Sequence, residues 1–238
     1  MAAAQFECAV GDVAANVGTI AGLAQEAREV GAEVLVCSEL ALTGYELELI
    51  SAGRELWTEP DDPRLAPLRG VGIVLVVNGV RHGPGGRPRI ESIVFGPDGE
   101  VLATYAKEHL YENEQGVFEP GVGGGRFRWN GVGYSLATCY DNHFPEVSAR
   151  NAAQGCQVHL ASSLYGTGSG REERRTVHPA IAKATGMHVV LANHVGTAGP
   201  WTGCGGSAAW SPGGDVVAEA DGSGPQLLVA DLEVERQG

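Results

Sequence analysis

The stretch VGYSLATCYDNHFPEVSARNAAQGCQVHLAS, residues 132–162, reads as strand, turn, helix, strand. Gly133–Cys139 is a short, mostly apolar run of strand length. Tyr140-Asp141-Asn142-His143 is too polar to extend it, and Pro145 suits the first position of a helix, where its missing N–H costs nothing. Glu146 then lies in the electropositive first turn, Gly155 ends the helix, and Val158–Ser162 forms the next strand. The first forty residues repeat the scheme. Gln5–Val10 is a candidate strand. Residues 16–30 place Val17, Ile20, Ala21, Ala24 and Ala27 at helical spacing on one face, with Asn16 as the expected N-cap and Gly31 as the stop. Val34–Cys37 reads as a strand buried on both faces. Two hairpins also resemble each other: SIVFGPDGEVLATY (92–105) and SAAWSPGGDVVAEA (207–220) both place Pro and Gly between apolar runs. The chain therefore reads as two related halves, and layers of helix on sheet, α/β or α+β, are expected.

Length and composition agree with this reading. At 238 residues, with 43% hydrophobic and 19% charged side chains, the chain can bury a substantial core in one domain, 1–238. Sixteen basic against twenty-nine acidic residues leave a net charge of −13. That argues against a nucleic-acid or anionic-membrane surface, since both require clustered Lys and Arg. No apolar run approaches the ~18 residues of a membrane span. The five cysteines, at 8, 37, 139, 156 and 204, form no C-x-x-C pair, so neither a zinc cluster nor a dithiol motif is offered. A reduced, cytoplasmic protein is expected, because the N-terminal residues lack a basic, signal-like segment.

Four residues carry candidate chemistry. Cys139 ends a buried strand before a turn and helix, where a helix N-terminus favours thiolate; a free cysteine is otherwise more often a packing group. Glu39 stands just past Val34–Cys37, either as an exposed carboxylate or as a base beside a thiol. Lys107 follows the first hairpin, either solvated or poised to hold an oxyanion. Glu114 lies seven residues further on and taken alone would be a surface residue.

The segments CSELALTGY (37–45), YAKEHLYENEQGVFEPG (105–121) and ATCYDNHFPEVSAR (137–150) resemble the three signature blocks of the nitrilase superfamily, the carbon–nitrogen hydrolases. Asn193-His-Val-Gly196 and Ser211-Pro-Gly-Gly214 extend the resemblance over nearly the whole chain. It implies a four-layer αββα sandwich with two pseudo-symmetric halves and a Glu-Lys-Cys triad of Glu39, Lys107 and Cys139, with Glu114 as an auxiliary glutamate. It implies a small-molecule amide substrate, a thioester on Cys139, no metal, no organic cofactor, and a homodimer or higher homo-oligomer. Cys139-Tyr140-Asp141 is similar to amidase branches; true nitrilases more often have Trp-Glu after the cysteine. Nitrile and N-carbamoyl hydrolysis are the alternatives on the same fold, and a catalytically silent small-molecule-binding protein is the alternative of a different class.

Tyr45, Tyr140, His143 and Ser163 are the expected substrate-binding residues. Arg171, Arg174 and Arg175 offer bidentate contact to a substrate carboxylate, against a plain reading as a solvated helix start. Family members often have Arg at the place of His143. Pro179 is expected to start the last long helix, with Val177, Ile181 and Ala184 facing inward. Gly166-Thr-Gly-Ser-Gly170 hints at a phosphate loop, but no G-K-[ST] occurs anywhere in the chain.

Overall fold

The computed structural model describes residues 1–236. In chain order the first half contains β1 (Ala2–Gln5), α1 (Val13–Glu29), β2 (Val34–Cys37), α2 (Leu47–Ala52), β3 (Val74–His82), β4 (Pro88–Phe95) and β5 (Val101–Ala106). The second half contains β6 (Arg126–Trp129), β7 (Val132–Thr138), α3 (Pro145–Ala152), β8 (Val158–Ser163), α4 (Ser169–Thr185), β9 (His188–Asn193), the ribbon β10 (Val195–Ala198) and β11 (Trp201–Cys204), then β12 (Ala208–Trp210), β13 (Val216–Glu219) and β14 (Gln226–Val229).

Two six-stranded sheets result, ordered β14-β1-β2-β3-β4-β5 and β13-β12-β9-β8-β7-β6. In each, three neighbouring strands are parallel, joined through crossover segments, and an antiparallel hairpin follows. The period-two pleat sends alternate residues to opposite faces. Val34 and Val36 therefore meet Leu136, Leu160 and Val190 of the other sheet, while Leu35 and Cys37 pack with Val17, Ile20 and Ala24 of α1. On the far side Ala161, Leu191 and Trp210 meet Ile181 and Ala182 of α4. The order is helix, sheet, sheet, helix, as the resemblance implies. Among the described residues no helix is long and apolar enough to cross a membrane.

Several local expectations are corrected. The first strand is Ala2–Gln5, not 5–10. Three consecutive alanines give no alternation to read, and their strand is fixed from outside by pairing with Leu35–Cys37 and with β14. Asp12, not Asn16, caps α1, with Oδ1 accepting from Ala15 N at 3.0 Å. Asn16 is buried instead, and its Nδ2 donates to Leu42 O at 3.1 Å, which ties α1 to the loop after β2. Pro179 lies inside α4 rather than at its start, and Ala182, not Ala184, turns inward. Packing of Arg174, His178, Ile181 and Ala182 at helical spacing keeps α4 continuous through a residue that removes one backbone bond. Gly186, left-handed at φ 70°, ends it by donating to Ala182 O.

Candidate active site

Glu39 stands two residues past β2, at the carboxyl edge of a parallel strand, where layered α/β folds build sites. Its neighbour Leu40 has φ 50°, a conformation few bulky residues adopt. Asn78 of β3 holds that bend: its Oδ1 accepts from Leu40 N at 2.8 Å, and its Nδ2 donates to Ser92 Oγ at 3.0 Å and Thr138 Oγ1 at 3.4 Å. One buried amide thus links the glutamate turn to the last residue of β7, in the other sheet.

Lys107 follows β5. Its backbone N donates to Ile90 O, and its carbonyl accepts from Gly121 N at 2.7 Å. A Cβ on Gly121 would stand 2.2 Å from Ala106 O, so only glycine permits this closure. The loop between them brings Glu114 back over the lysine. Lys107 Nζ donates to Glu39 Oε1 and to Glu114 Oε1, both at 2.7 Å. All three side chains are buried, so the ammonium is held between two carboxylates away from water. Tyr45 OH donates to Glu114 Oε1 at 2.8 Å, and Tyr111 N to Glu114 Oε2 at 2.8 Å.

Cys139 opens a single 3-10 turn, Cys139–His143, after β7, with φ 46°. Strain of this kind is paid at sites that require an exposed, fixed side chain. Asp141 locks the turn. Its Oδ2 accepts from Thr138 N (3.1 Å) and Tyr105 OH (2.8 Å), and its Oδ1 from Glu108 N (3.1 Å) and His109 N (2.8 Å). This carboxylate fastens the cysteine turn to the two residues that follow Lys107. Asn142 Nδ2 donates to Cys139 O at 3.0 Å while its Oδ1 accepts from His159 Nε2 at 2.8 Å. That bond assigns the His159 proton to Nε2, and Ser135 Oγ donates to Nδ1 at 3.0 Å. Burial lowers the His159 pKa to about 4, so the ring stays neutral in this network.

Electrostatics separates the three candidate groups. Burial raises the Glu39 carboxyl to about 7; Lys107 opposes the rise and Glu114 adds to it. Burial also pushes the Cys139 thiol well above its ordinary value, with the Glu39 charge reinforcing it and Lys107 working against it. Burial alone would lower Lys107, but Glu39 and Glu114 outweigh it and raise it well beyond the usual lysine range. The resting site therefore holds a neutral thiol, an ammonium and a carboxylate poised near neutrality. This corrects the expectation of a helix-stabilised thiolate. One 3-10 turn supplies little dipole, and two nearby carboxylates disfavour a third negative charge. Cys139 Sγ instead donates to Leu164 O at 3.7 Å, and Glu39 Oε2 is buried with no hydrogen-bond partner, free to receive a proton.

Cys139 and the two glutamates open on a cavity of about 150 Å³. Tyr45, Tyr140 and His143 line it as expected from sequence. Ser163 does not: it is the last residue of β8, wholly buried, and the wall is formed by the residues after it, Leu164 to Thr167. The Gly166–Gly170 segment is wall and helix entry rather than a phosphate cradle. Arg171, Arg174 and Arg175 also fall elsewhere, around a second cavity with Glu219, which accepts from Arg174 at 2.7 Å. Sequence reasoning does not single out Tyr111 and Glu173, which line the site, or Asn78 and Asp141, which hold it. Asn78 had a signal, being the one amide inside the apolar run Val74–Val80; the wall residues had none.

Comparison with known proteins follows the same lines. A family profile described as carbon-nitrogen hydrolase matches residues 1–238. A solved variant of the amidase from Nesterenkonia sp. AN1, carrying acrylamide added to its active-site cysteine, superposes with a TM-score of 0.87 at 33% identity, covering 98% of this chain and 92% of that one. Hydrolase Rv0480c of Mycobacterium tuberculosis is 30% identical over 94% of this chain and 86% of its own length. Omega-amidase NIT2 of Danio rerio is 25% identical over 92% of this chain and 83% of its own length.

Proposed function

The chain belongs to the carbon–nitrogen hydrolase family, and we propose that residues 1–238 act as one domain that converts small amides to carboxylic acid and ammonia with Glu39, Lys107 and Cys139. The observation that carries this reading is the meeting of a neutral thiol, a near-neutral-pKa carboxylate and a fixed ammonium at one small cavity. In this reading Glu39 Oε2 takes the Cys139 proton as sulfur bonds to the amide carbon. The carbonyl π pair becomes an oxyanion, held by the Lys107 ammonium and a backbone N–H of the Cys139 turn. Collapse breaks the C–N bond, and Glu39 returns the proton to the leaving nitrogen, so ammonia departs and a thioester remains. Water then enters, loses a proton to Glu39 and attacks the thioester carbon. The C–S bond breaks, and Glu39 restores the thiol as the carboxylic acid leaves.

Glu114 is a positioning residue here. It fixes Lys107 from the side opposite Glu39, and Tyr45 and Tyr111 hold it in turn. The base must be ionised while the nucleophile is still protonated. The raised Glu39 pKa keeps the base close in proton affinity to its task, which is where general-base catalysis is most effective.

The test is ammonia release from a panel of small amides, N-carbamoyl compounds and nitriles, beside Cys139→Ala. Release from amides that disappears in the variant, together with an acyl adduct at Cys139 by intact mass, is the expected result. Undiminished release by folded Cys139→Ala would overturn the assignment.

A further inference from the structure

The two cavities divide the charges. The three arginines of α4 surround the second one, where Arg174 is engaged by Glu219 and Arg175 lies 3.5 Å from the same carboxylate. The active-site cavity is the reverse. Among the described residues its wall contains no Lys or Arg, and its carboxylates are Glu39, Glu114 and Glu173. Lys107, behind that wall, is already shared between two of them. Glu173 is different from the other two. It stands in the second turn of α4 at the open end, half exposed, and is not engaged by the lysine. Its neighbour His143 Nε2 lies 3.9 Å away, at the limit of an ion pair, so the carboxylate retains free acceptor positions. The Tyr140 and Tyr165 rings lie 5.5 and 6.4 Å from that of His143, and Trp201 lines the same cavity.

Resting on the amidase reading above, we propose that this site selects short amides whose far end is a protonated amine, recognised by Glu173 among the aromatic rings, and disfavours amides ending in a carboxylate. The volume sets the length, since a cavity of about 150 Å³ accommodates roughly a benzene-sized group. An amide head and a three- or four-carbon chain fill it, which leaves the terminal group at the mouth beside Glu173. There an ammonium gains a carboxylate and ring faces. A carboxylate at the same point meets Glu173, and no cation on the wall compensates it.

The test uses three amides of matched length: 4-aminobutanamide, pentanamide and succinamate. Their dissociation constants are measured on Cys139→Ala, which lacks the nucleophile and keeps the pocket, and kcat/KM is measured separately on the unaltered enzyme. The amine is expected to bind about fivefold more tightly than pentanamide, the scale of one partly exposed ion pair, with succinamate weakest. Glu173→Gln is expected to bring the amine-to-pentanamide ratio close to one, and Glu173→Lys to invert the order of amine and acid. Succinamate binding as well as the amine, a ratio unmoved by Glu173→Gln, or binding of none of the three would overturn the proposal. Its failure is distinct from failure of the amidase reading. The stated order on Cys139→Ala without ammonia release by the enzyme sinks only the hydrolysis; hydrolysis of pentanamide with no amine preference sinks only the selectivity.

Discussion

The two sheets share one topology and carry different chemistry at matching places. In each, a strand pairs antiparallel to the first of three parallel strands, and an antiparallel hairpin completes the other edge. Yet β7 leads to Cys139, whereas β1 ends in Gln5, whose amide is used for structure, bonding Asp221 O, Gly224 O and Ser207 N. β2 leads to Glu39, whereas β8 leads to Leu164, which offers only a carbonyl to the thiol. β5 leads to Lys107, whereas β13 leads to Ala220 and Asp221. The crossovers differ too: a six-residue α2 and a 3-10 turn, Pro63–Leu68, lie between β2 and β3, against the seventeen-residue α4 between β8 and β9. A repeated frame supplies equivalent strand ends facing one another, and divergence of the short turns after them supplies the reaction. The first half furnishes the buried charges and the second the cysteine, with Asp141 and Asn78 as the cross-links that keep the two in register.

The sharpest way to break this division of labour is to compare one substitution from each half. Cys139→Ala is expected to lower kcat/KM by about 10⁴-fold or more, and Glu39→Gln by about 10²–10⁴-fold, with the double variant no worse than Cys139→Ala because the pair acts as a unit. Single-turnover rates of the three proteins check it, and additive losses would separate the halves.

Stability divides differently. Lys107→Ala leaves two buried carboxylates facing each other without their cation, and removal of one partner from such a cluster costs about 3–5 kcal/mol. Glu39→Gln leaves a neutral Lys107–Glu114 pair and is expected to unfold at the same denaturant concentration as the parent or higher. Urea midpoints read both. A stable Lys107→Ala protein would show that the cluster is not assembled as described.

The pH profile sharpens the electrostatic contrast. A carboxyl raised to about 7 is protonated below that pH and cannot accept the thiol proton. kcat/KM should therefore rise with pH through about 7 and then level, since Cys139 and Lys107 both remain protonated well above it. The rate of Cys139 alkylation should follow the same limb, and Glu39→Gln should remove it. Alkylation that climbs only at the pKa of a free thiol would assign the base elsewhere.

The smallest effect tests the backbone. Among the described residues Leu40, Cys139 and Asn130 are the non-glycine residues with positive φ, and Asn130 sits in the β6–β7 turn away from the cavity. Asn130→Gly should change stability by no more than about 0.5 kcal/mol, because asparagine already tolerates that region. Leu40→Gly relieves the left-handed backbone but deletes a fully buried core side chain and loosens the Glu39 turn, so its expected signature is a lower kcat together with a lowered melting temperature.

How much was legible varies with the range of the cause. β2, the start of α3 at Pro145 and both hairpins were readable, because local periodicity and turn residues dictate them. β1 is not legible because alanines carry no pattern, and the cap expected at Asn16 fails because its real partners, Ala9 and Leu42, are supplied by folding. Glu39, Lys107, Cys139 and Glu114 are candidates through block spacing; Lys107 pairs with both glutamates, and Cys139 lines the same cavity as they do.

By itself, then, the sequence determined the doubled strand–helix–strand plan and the blocks that carry the candidate groups, both written in short-range patterns. Only the tertiary structure decided their states and their surroundings. Whether Cys139 rests as thiol or thiolate depends first on its burial and then on charges delivered from the other sheet. That Ser163 is sealed while Glu173 faces the cavity, and that the arginines turn to Glu219, depends on how α4 rotates onto its sheet. Desolvation and charge coupling act through space, and no local pattern records which distant residues will supply them.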